Sequence, residues 1–409
     1  MKVFLLGTNQ LNFIYLLARS IRKINPAIEF ASFRLNPLGG KLPHDLSSVI
    51  HTTYSSTFNL LYFSLAFLRS LGDAMFWRTV LFILFREIKP GKALHFVYHW
   101  NLERSFFIRN DLRQYEVFHF HFIQYSYLRS VWFVPPTSRI ICTFWGSDLL
   151  RTHDPFNHFF VSKALSRADF ITTQSVELQE LILSRYGQQL KPKIRVRKLS
   201  LDTSIFDKID AAGTREAAKA SMSISADKLV VVVGHNANPF NNHMAVIEAL
   251  GSLSMREKLH VIVPFAYAAD RPGYDEELGK AAARLQLKLH FIKEYLESDS
   301  VAAVRVITDI MIHVPSTDAL SGAATECMYA GNLLVTGAWL PYGPFKEAGL
   351  YYRVTDSLEN LSVVIEQAIS NLESERQKCG VNKEAIRRHF FPEVTAPPWA
   401  ELYQEPSSK

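Results

Sequence analysis

The chain has 409 residues, 48% apolar and 21% charged, a composition that fits two or three folded domains and excludes a disordered, collagen-like or low-complexity protein. Its three cysteines, Cys142, Cys327 and Cys379, are far apart and form no Cys-x-x-Cys pair, which excludes a disulfide framework and a cysteine-built zinc site and points to a reducing compartment. The net charge of +6 is unevenly spread: residues 1–200 carry 25 Lys and Arg against 12 Asp and Glu, whereas residues 201–409 carry 20 against 27.

Aromatic residues follow the same skew, 34 of the 51 lying in the first 200 positions. A basic, aromatic-rich half asks for an anionic partner: nucleic acid, a phospholipid surface or a phosphorylated substrate. Nucleic acid is disfavoured, since the chain has no zinc-finger spacing, RNA-binding strand motif or helix-turn-helix signature. It also lacks the phosphate-binding GxxxxGK[ST] loop and the GxSxG nucleophile turn.

In chain order, Lys2–Leu6 is a short apolar run that stops at Gly7. It is too short for a signal peptide and has no small-residue cleavage site, so it reads as a first buried strand of a cytoplasmic protein. Leu11 to Arg22 has helical spacing, and Ile28 to Phe33 reads as the next strand. Residues 58–88 are the most apolar region, but the uncharged stretch Phe58–Leu68 gives way to Arg69, Asp73 and Arg78, too early for a membrane span. Two readings stand for it. One is a buried helical hairpin. The other is a surface that dips into a membrane interface, where Phe76, Trp77, Arg69, Arg78 and Arg86 suit the headgroup layer.

Further strands are expected at Val117–Phe122, Arg139–Phe144, Phe170–Thr173, Ile194–Leu199, Leu229–Val233, Leu259–Val263, Leu289–Ile292, Ile310–Val314 and Leu333–Thr336. Most are followed by a turn and a helical stretch, which predicts parallel sheets with crossover helices. So many strands need two doubly wound domains. The charge balance changes sign near the polar stretch Asp207–Arg215, which puts the domains at 1–205 and 206–387. Residues 388–409 read as a tail that packs back on the first domain.

Five places could carry chemistry. His119 and His121 end a strand on one face of it; the pair is either structural or, through His121, a contact to sugar or phosphate, and no third ligand for zinc is in range. Asp148, in Trp145-Gly146-Ser147-Asp148, is either a general base on an acceptor hydroxyl or a structural cap. Lys191, Lys193, Arg195, Arg197 and Lys198 alternate with Ile194 and Val196, so their face is either solvated or receives an anion. The strand-to-helix loop Gly234-His235-Asn236-Ala237-Asn238-Pro239-Phe240-Asn241-Asn242-His243 is dense in neutral donors and lies where open α/β sheets bind ligands. Ser316 to Gly331 has a Ser321-Gly322 turn opening a helix of small residues, whose amides can approach a phosphate. Asp318 and Glu326 flank that turn as sugar- and ribose-binding carboxylates; the alternative is a helix cap and a solvated Glu.

These residues resemble a known group. Phe144-Trp145-Gly146-Ser147-Asp148, Ala168-Asp169-Phe170-Ile171-Thr172-Thr173-Gln174-Ser175, Leu201-Asp202-Thr203-Ser204-Ile205-Phe206 and the Asp318 to Glu326 spacing look, in that order, like the motifs of the GT4-like glycosyltransferases of GT-B fold. Trp145 stands where many members have His, and Asp318 where they have Glu. The His235–His243 loop replaces their diphosphate-binding Arg and Lys, and looks more like the 4-acetamido-4,6-dideoxygalactose transferases of lipid-linked polysaccharide assembly. The resemblance implies two Rossmann-like domains about a central cleft and a metal-independent transferase needing no cofactor. The donor nucleotide-sugar would meet Gly234, His235, Asn236, Asn242, His243, Asp318, Ser321, Gly322 and Glu326. A lipid-linked or anionic glycan acceptor would meet Trp145, Arg195 and Arg197, with Asp148 and His121 as catalytic groups, at the inner face of the cell membrane. A sugar-nucleotide epimerase of the same fold, or a non-catalytic nucleotide-sugar or glycan-binding protein, are the rival expectations.

Overall fold

A computed structural model describes residues 1–8, 12–34, 50–55 and 57–406. They form two compact units, Met1–Ser200 with the segment from Pro392 on, and Leu201–Phe391. These junctions differ by a few residues from those expected at 205/206 and 387/388. The reason is packing: the Thr203–Ala211 helix buries Ile205, Phe206 and Ile209 in the second unit, where Phe206 meets Tyr329 and Phe391.

The first unit is built on seven parallel strands: β1 (Lys2–Leu6), β2 (Glu29–Arg34), β3 (Ile50–Ser55), β4 (Val117–His121), β5 (Arg139–Thr143), β6 (Phe170–Thr173) and β7 (Ile194–Val196), in the order β3-β2-β1-β4-β5-β6-β7. The central strands are buried on both faces, as the near-continuous apolar runs of β1 and β4 require of a sheet with helices on each side. The Asn12–Ile24 helix is the first crossover; Leu11, its expected start, lies outside the described residues. The Thr- and Ser-containing edge strand β3 has too little apolar alternation to be read from sequence. The Pro392–Gln404 helix lies in this unit, with Trp399 and Tyr403 fully buried and the Trp399 indole N–H on the Lys198 carbonyl at 2.9 Å.

The second unit has six parallel strands: β8 (Leu229–Val233), β9 (Leu259–Pro264), β10 (Leu289–Ile292), β11 (Ile310–His313), β12 (Leu333–Gly337) and β13 (Arg353–Thr355), in the order β10-β9-β8-β11-β12-β13. Apolar clusters fill both faces of this sheet. Both units are therefore doubly wound, and strand order reverses between β1 and β4 in one and between β8 and β11 in the other. Chains diverge at such points and leave a crevice at the carboxyl ends of the strands.

All three cysteines are buried free thiols. Residues 58–88 form the Leu60–Leu71 and Ala74–Phe82 helices and a π-helical turn, Ile83–Glu87, but they are not a buried hairpin: the first helix buries Ala66 and Ser70 while its leucines are exposed. No described helix is long and apolar enough to cross a membrane.

Candidate functional site

At the β8/β11 reversal, two loops are knitted together. The Asn242 amide donates to the Val314 carbonyl at 2.7 Å, the Ser316 N–H to the Phe240 carbonyl at 2.8 Å, and the Ser316 hydroxyl to Asn242 Oδ1 at 3.3 Å. Within the first loop, Asn236 Oδ1 takes the Asn238 N–H and the Asn241 amide, so Asn236 is a scaffold for the loop. Gly234 makes its turn at φ +66°, and a Cβ there would lie 3.0 Å from His243 Nε2 and 3.1 Å from Asn241 Cβ. Left-handed backbone and crowding act together, so Gly234→Ala is expected to cost about 2 kcal/mol of stability. Thermal melts would check this; an unchanged melting temperature would mean the loop gives way freely.

The loops enclose buried imidazoles. His235 and His313 have ring centroids 5.1 Å apart. The Asn236 amide donates to His235 Nε2 at 2.8 Å, which places the His235 proton on Nδ1, a buried atom with no acceptor among the described residues. His313 Nδ1 is likewise buried without a partner among those residues, and His243 is fully buried beside the Asn236 backbone. Burial pushes His235 down to about 3 and His243 to about 4, so both stay neutral near pH 7. A buried donor without an acceptor is costly, and such groups mark places where a polar ligand completes the bonding.

Charge is set around them. His313 Nε2 and the Tyr342 hydroxyl both donate to Asp318 Oδ2, at 3.0 and 2.6 Å. Those bonds hold the Asp318 carboxyl at about 2 although its burial acts the other way. Glu326, on the Gly322–Tyr329 helix, accepts from Arg305 Nε and a terminal guanidinium nitrogen at 3.0 and 2.9 Å. Ser321 caps this helix, its hydroxyl taking the Ala324 N–H at 3.2 Å. The Gly322 and Ala323 amides then head the positive end of the helix. Arg305 comes from the Ser298–Ile307 helix and is buried; its charge acts on His235 and Tyr267. All nine expected donor residues, Gly234, His235, Asn236, Asn242, His243, Asp318, Ser321, Gly322 and Glu326, thus belong to these two loops and the helix after them. Sequence reading missed His313, Arg305 and Tyr342.

The first unit arranges its expected residues differently. Asp148 is fully buried, with Oδ1 taking the Trp145 and Gly146 N–H groups at 3.0 and 2.9 Å and Oδ2 the Ile123 N–H at 2.7 Å. Burial pushes its carboxyl up to about 6 against those bonds. A carboxylate closed in by three amides is a scaffold for the β4 and β5 loops; it does not face an incoming hydroxyl. Trp145 is likewise a core residue. It stacks on His121 (5.8 Å, 15°) and on Trp399 (6.3 Å, 28°), and packs edge-on against Phe13. Arg195 pairs with Glu405, and the Arg197 guanidinium donates to the Pro398 carbonyl at 3.1 Å. The carboxyl-terminal segment therefore occupies the cations expected for an acceptor. His119 is a satisfied core histidine, bonded to Tyr403 and Thr143. His121 is different: Nδ1 accepts from the Trp145 indole at 3.2 Å, so the proton sits on Nε2, which is buried without a partner among the described residues. Thr173 Oγ1 and Gln174 Oε1, at the end of β6, are in the same condition. Among the described residues no group of three or more His, Cys, Asp or Glu is disposed to hold a metal ion.

No protein-family model matches the chain, and no curated protein matches it in sequence. Solved structures do. A glycosyltransferase from Rickettsia africae ESF-5 is similar at TM-score 0.70 and 13% identity, over 98% of this chain and 97% of that one. A UDP-forming α,α-trehalose-phosphate synthase from Burkholderia vietnamiensis is similar at TM-score 0.70 and 12% identity, over 98% and 97%. HepE of Anabaena, in complex with UDP and glucose, is similar at TM-score 0.68 and 12% identity, over 99% of each chain. Likeness at this identity establishes the fold: the chain has the GT-B fold expected for it, with two Rossmann-like doubly wound units.

Proposed function

We propose that the chain is a glycosyltransferase that moves a sugar from a nucleotide-sugar donor to a glycan or lipid-linked acceptor in bacterial surface polysaccharide synthesis. The observation that carries the reading is the cluster at the β8/β11 reversal: buried, unpartnered imidazole nitrogens beside a helix amino terminus, an ionised Asp318 and the Arg305–Glu326 pair. The fold likeness to HepE, a protein bound to UDP, supports the same assignment.

In this reading the second unit takes the donor. The His235 Nδ1–H, the His243 ring and the Gly322 and Ala323 amides face the diphosphate, and Glu326, held by Arg305, takes the ribose hydroxyls. Asp318 is ionised and so accepts from sugar hydroxyls. As the sugar–phosphate bond breaks, negative charge grows on the leaving diphosphate, and fixed donors in a water-poor crevice stabilise that charge more than they stabilise the bound donor. Arg305 and the helix dipole supply positive potential without a metal ion. The basic first unit takes the acceptor, with His121 Nε2–H, Thr173 and Gln174 as its contacts at the strand ends; Asp148 shapes the loop that holds them.

A thermal-shift panel of UDP, TDP, GDP, CMP and ADP tests the donor site. One nucleotide at 100 times its dissociation constant is expected to add about 2.7 kcal/mol to the wild type. Glu326→Ala should lose that shift. A panel with no stabilising nucleotide would overturn the assignment.

A further inference from the structure

The Leu60–Leu71 helix is built inside out. Nearly every residue in it is apolar, yet the side chains it buries are Ala66 and Ser70. The Ser70 hydroxyl donates to Asn101 Oδ1 at 2.7 Å and receives the Arg104 guanidinium at 2.8 Å, so the small and polar stripe is the one packed on the Pro90–Arg109 helix. A helix that packs on a core for its own stability does the reverse.

The outward residues sit on consecutive elements of this region. Among the described residues, seven large hydrophobic side chains are more than 60% exposed, and six of them, Leu60, Leu61, Leu68, Phe85, Ile88 and Leu94, are here, at 64 to 77%. They are linked: Phe63 meets Tyr98 at 5.8 Å, Tyr98 lies one turn from Leu94, and the Trp77 indole N–H bonds the Leu71 carbonyl at 2.8 Å. Ile88 ends the π-helical turn at φ +53°, a backbone that a β-branched residue rarely adopts, and its side chain is held outward. Single exposed leucines need no explanation; a contiguous patch marks an interaction surface.

Charge identifies the partner. Arg69, Arg78 and Arg86 are exposed on these same elements, and none has a carboxylate within ion-pair distance among the described residues. The acids nearby are already taken: Asp73 by Arg104, Glu87 by Lys92, Glu103 by Arg129. Next to the patch, Arg69, Arg104, Arg109 and Arg113 line a cavity of about 500 Å³ whose acidic residue, Asp111, pairs with Arg113. Exposed arginines such as Arg69, Arg78 and Arg86, without an ion-pair partner among the described residues and on the same elements as the exposed apolar side chains, match an anionic lipid interface, with side chains in the acyl boundary and guanidiniums among phosphates.

We propose that the face formed by residues 58–98 docks the protein on an anionic phospholipid membrane without crossing it. The test is flotation of the full chain with phosphatidylcholine vesicles, with and without phosphatidylglycerol. The wild type is expected to float with the anionic vesicles at about 0.1 M salt and to be largely released at about 1 M. The triple variant Leu61→Ser, Leu68→Ser, Phe85→Ser should bind at least about tenfold more weakly. Arg69→Gln, Arg78→Gln, Arg86→Gln should lose a similar factor on anionic vesicles. The substituted side chains are exposed, so both variants should keep the wild-type melting temperature. Wild type that stays with the bottom fraction at low salt would overturn the proposal, as would serine variants that float like wild type. A solution dimer that the serine substitutions convert to monomer would make a second copy of the chain the occupant instead.

Discussion

Lowering the pH from 7 to 5 is expected to remove about 4 kcal/mol from the stability of the Leu201–Phe391 unit, through two histidines. In the unfolded chain His235 and His243 take up protons near pH 6.5. In the folded unit burial holds them at about 3 and about 4, so at pH 5 they are still neutral. Below pH 6.5 the unfolded state therefore binds more protons, and stability falls with pH. Each group contributes about 2 kcal/mol over this interval. The loss is large against a total of about 5–15 kcal/mol for a domain. Asp318, held at about 2, adds its own loss only below pH 4. The first unit responds differently. His119, held at about 3, loses a similar amount, and His121 acts in the same direction. Asp148 opposes them: its folded value of about 6 lies above the unfolded one, so it gains a proton on the native side and returns roughly 1.3 kcal/mol by pH 5. Urea unfolding at pH 7, 6 and 5 would measure this, with His243→Gln flattening the slope of the second unit. A midpoint that does not move between pH 7 and 5 would mean that the imidazoles are solvated.

The same cluster shows what a sequence carries and what it does not. The loop 234–243 was legible because Gly, Asn and His crowd together between an apolar strand and a helix, and turn chemistry is local. The Ser321–Gly322 helix start was legible for the same reason. His313 was not, because in Ile310-Met311-Ile312-His313-Val314 it reads as one more residue of a buried strand. Arg305 and Tyr342 lie 21 and 24 residues from the carboxylates they bond, so no spacing rule joins them. Distance also misled the reading of Arg195: its partner Glu405 is 210 residues away, and an alternating basic strand looks alike whether water, an anion or the chain's own terminus covers it. The fold was legible for a simpler reason. Repeated apolar runs, each followed by a turn and a helical stretch, leave few arrangements besides doubly wound sheets. The Leu60–Leu71 helix marks the limit of that argument: apolar content identifies a helix that leaves water, not which medium receives it.

Arg305 and Glu326 separate structure from binding. Replacing Arg305 by Met should cost about 3 kcal/mol, because it leaves the Glu326 carboxylate half-enclosed without its cation. Glu326→Gln should cost a comparable amount: its amide oxygen still accepts from the guanidinium, but the more deeply buried Arg305 is left without its counter-charge. In the double variant the apolar side chain and the amide no longer hold an uncompensated charge, and a buried pair replaced as a whole is often near neutral. Stability should then recover most of what Arg305→Met lost, a coupling of about 1–3 kcal/mol in the double-mutant cycle. Nucleotide binding should not recover with it. If Glu326 takes the ribose and Arg305 sets the potential at the diphosphate, every member of the cycle except wild type binds the stabilising nucleotide more weakly, the double variant included. Restored stability with binding still lost assigns the pair to the donor; restored stability with wild-type binding makes it a strut of the Gly322–Tyr329 helix, and moves donor recognition to Asp318 and the imidazoles.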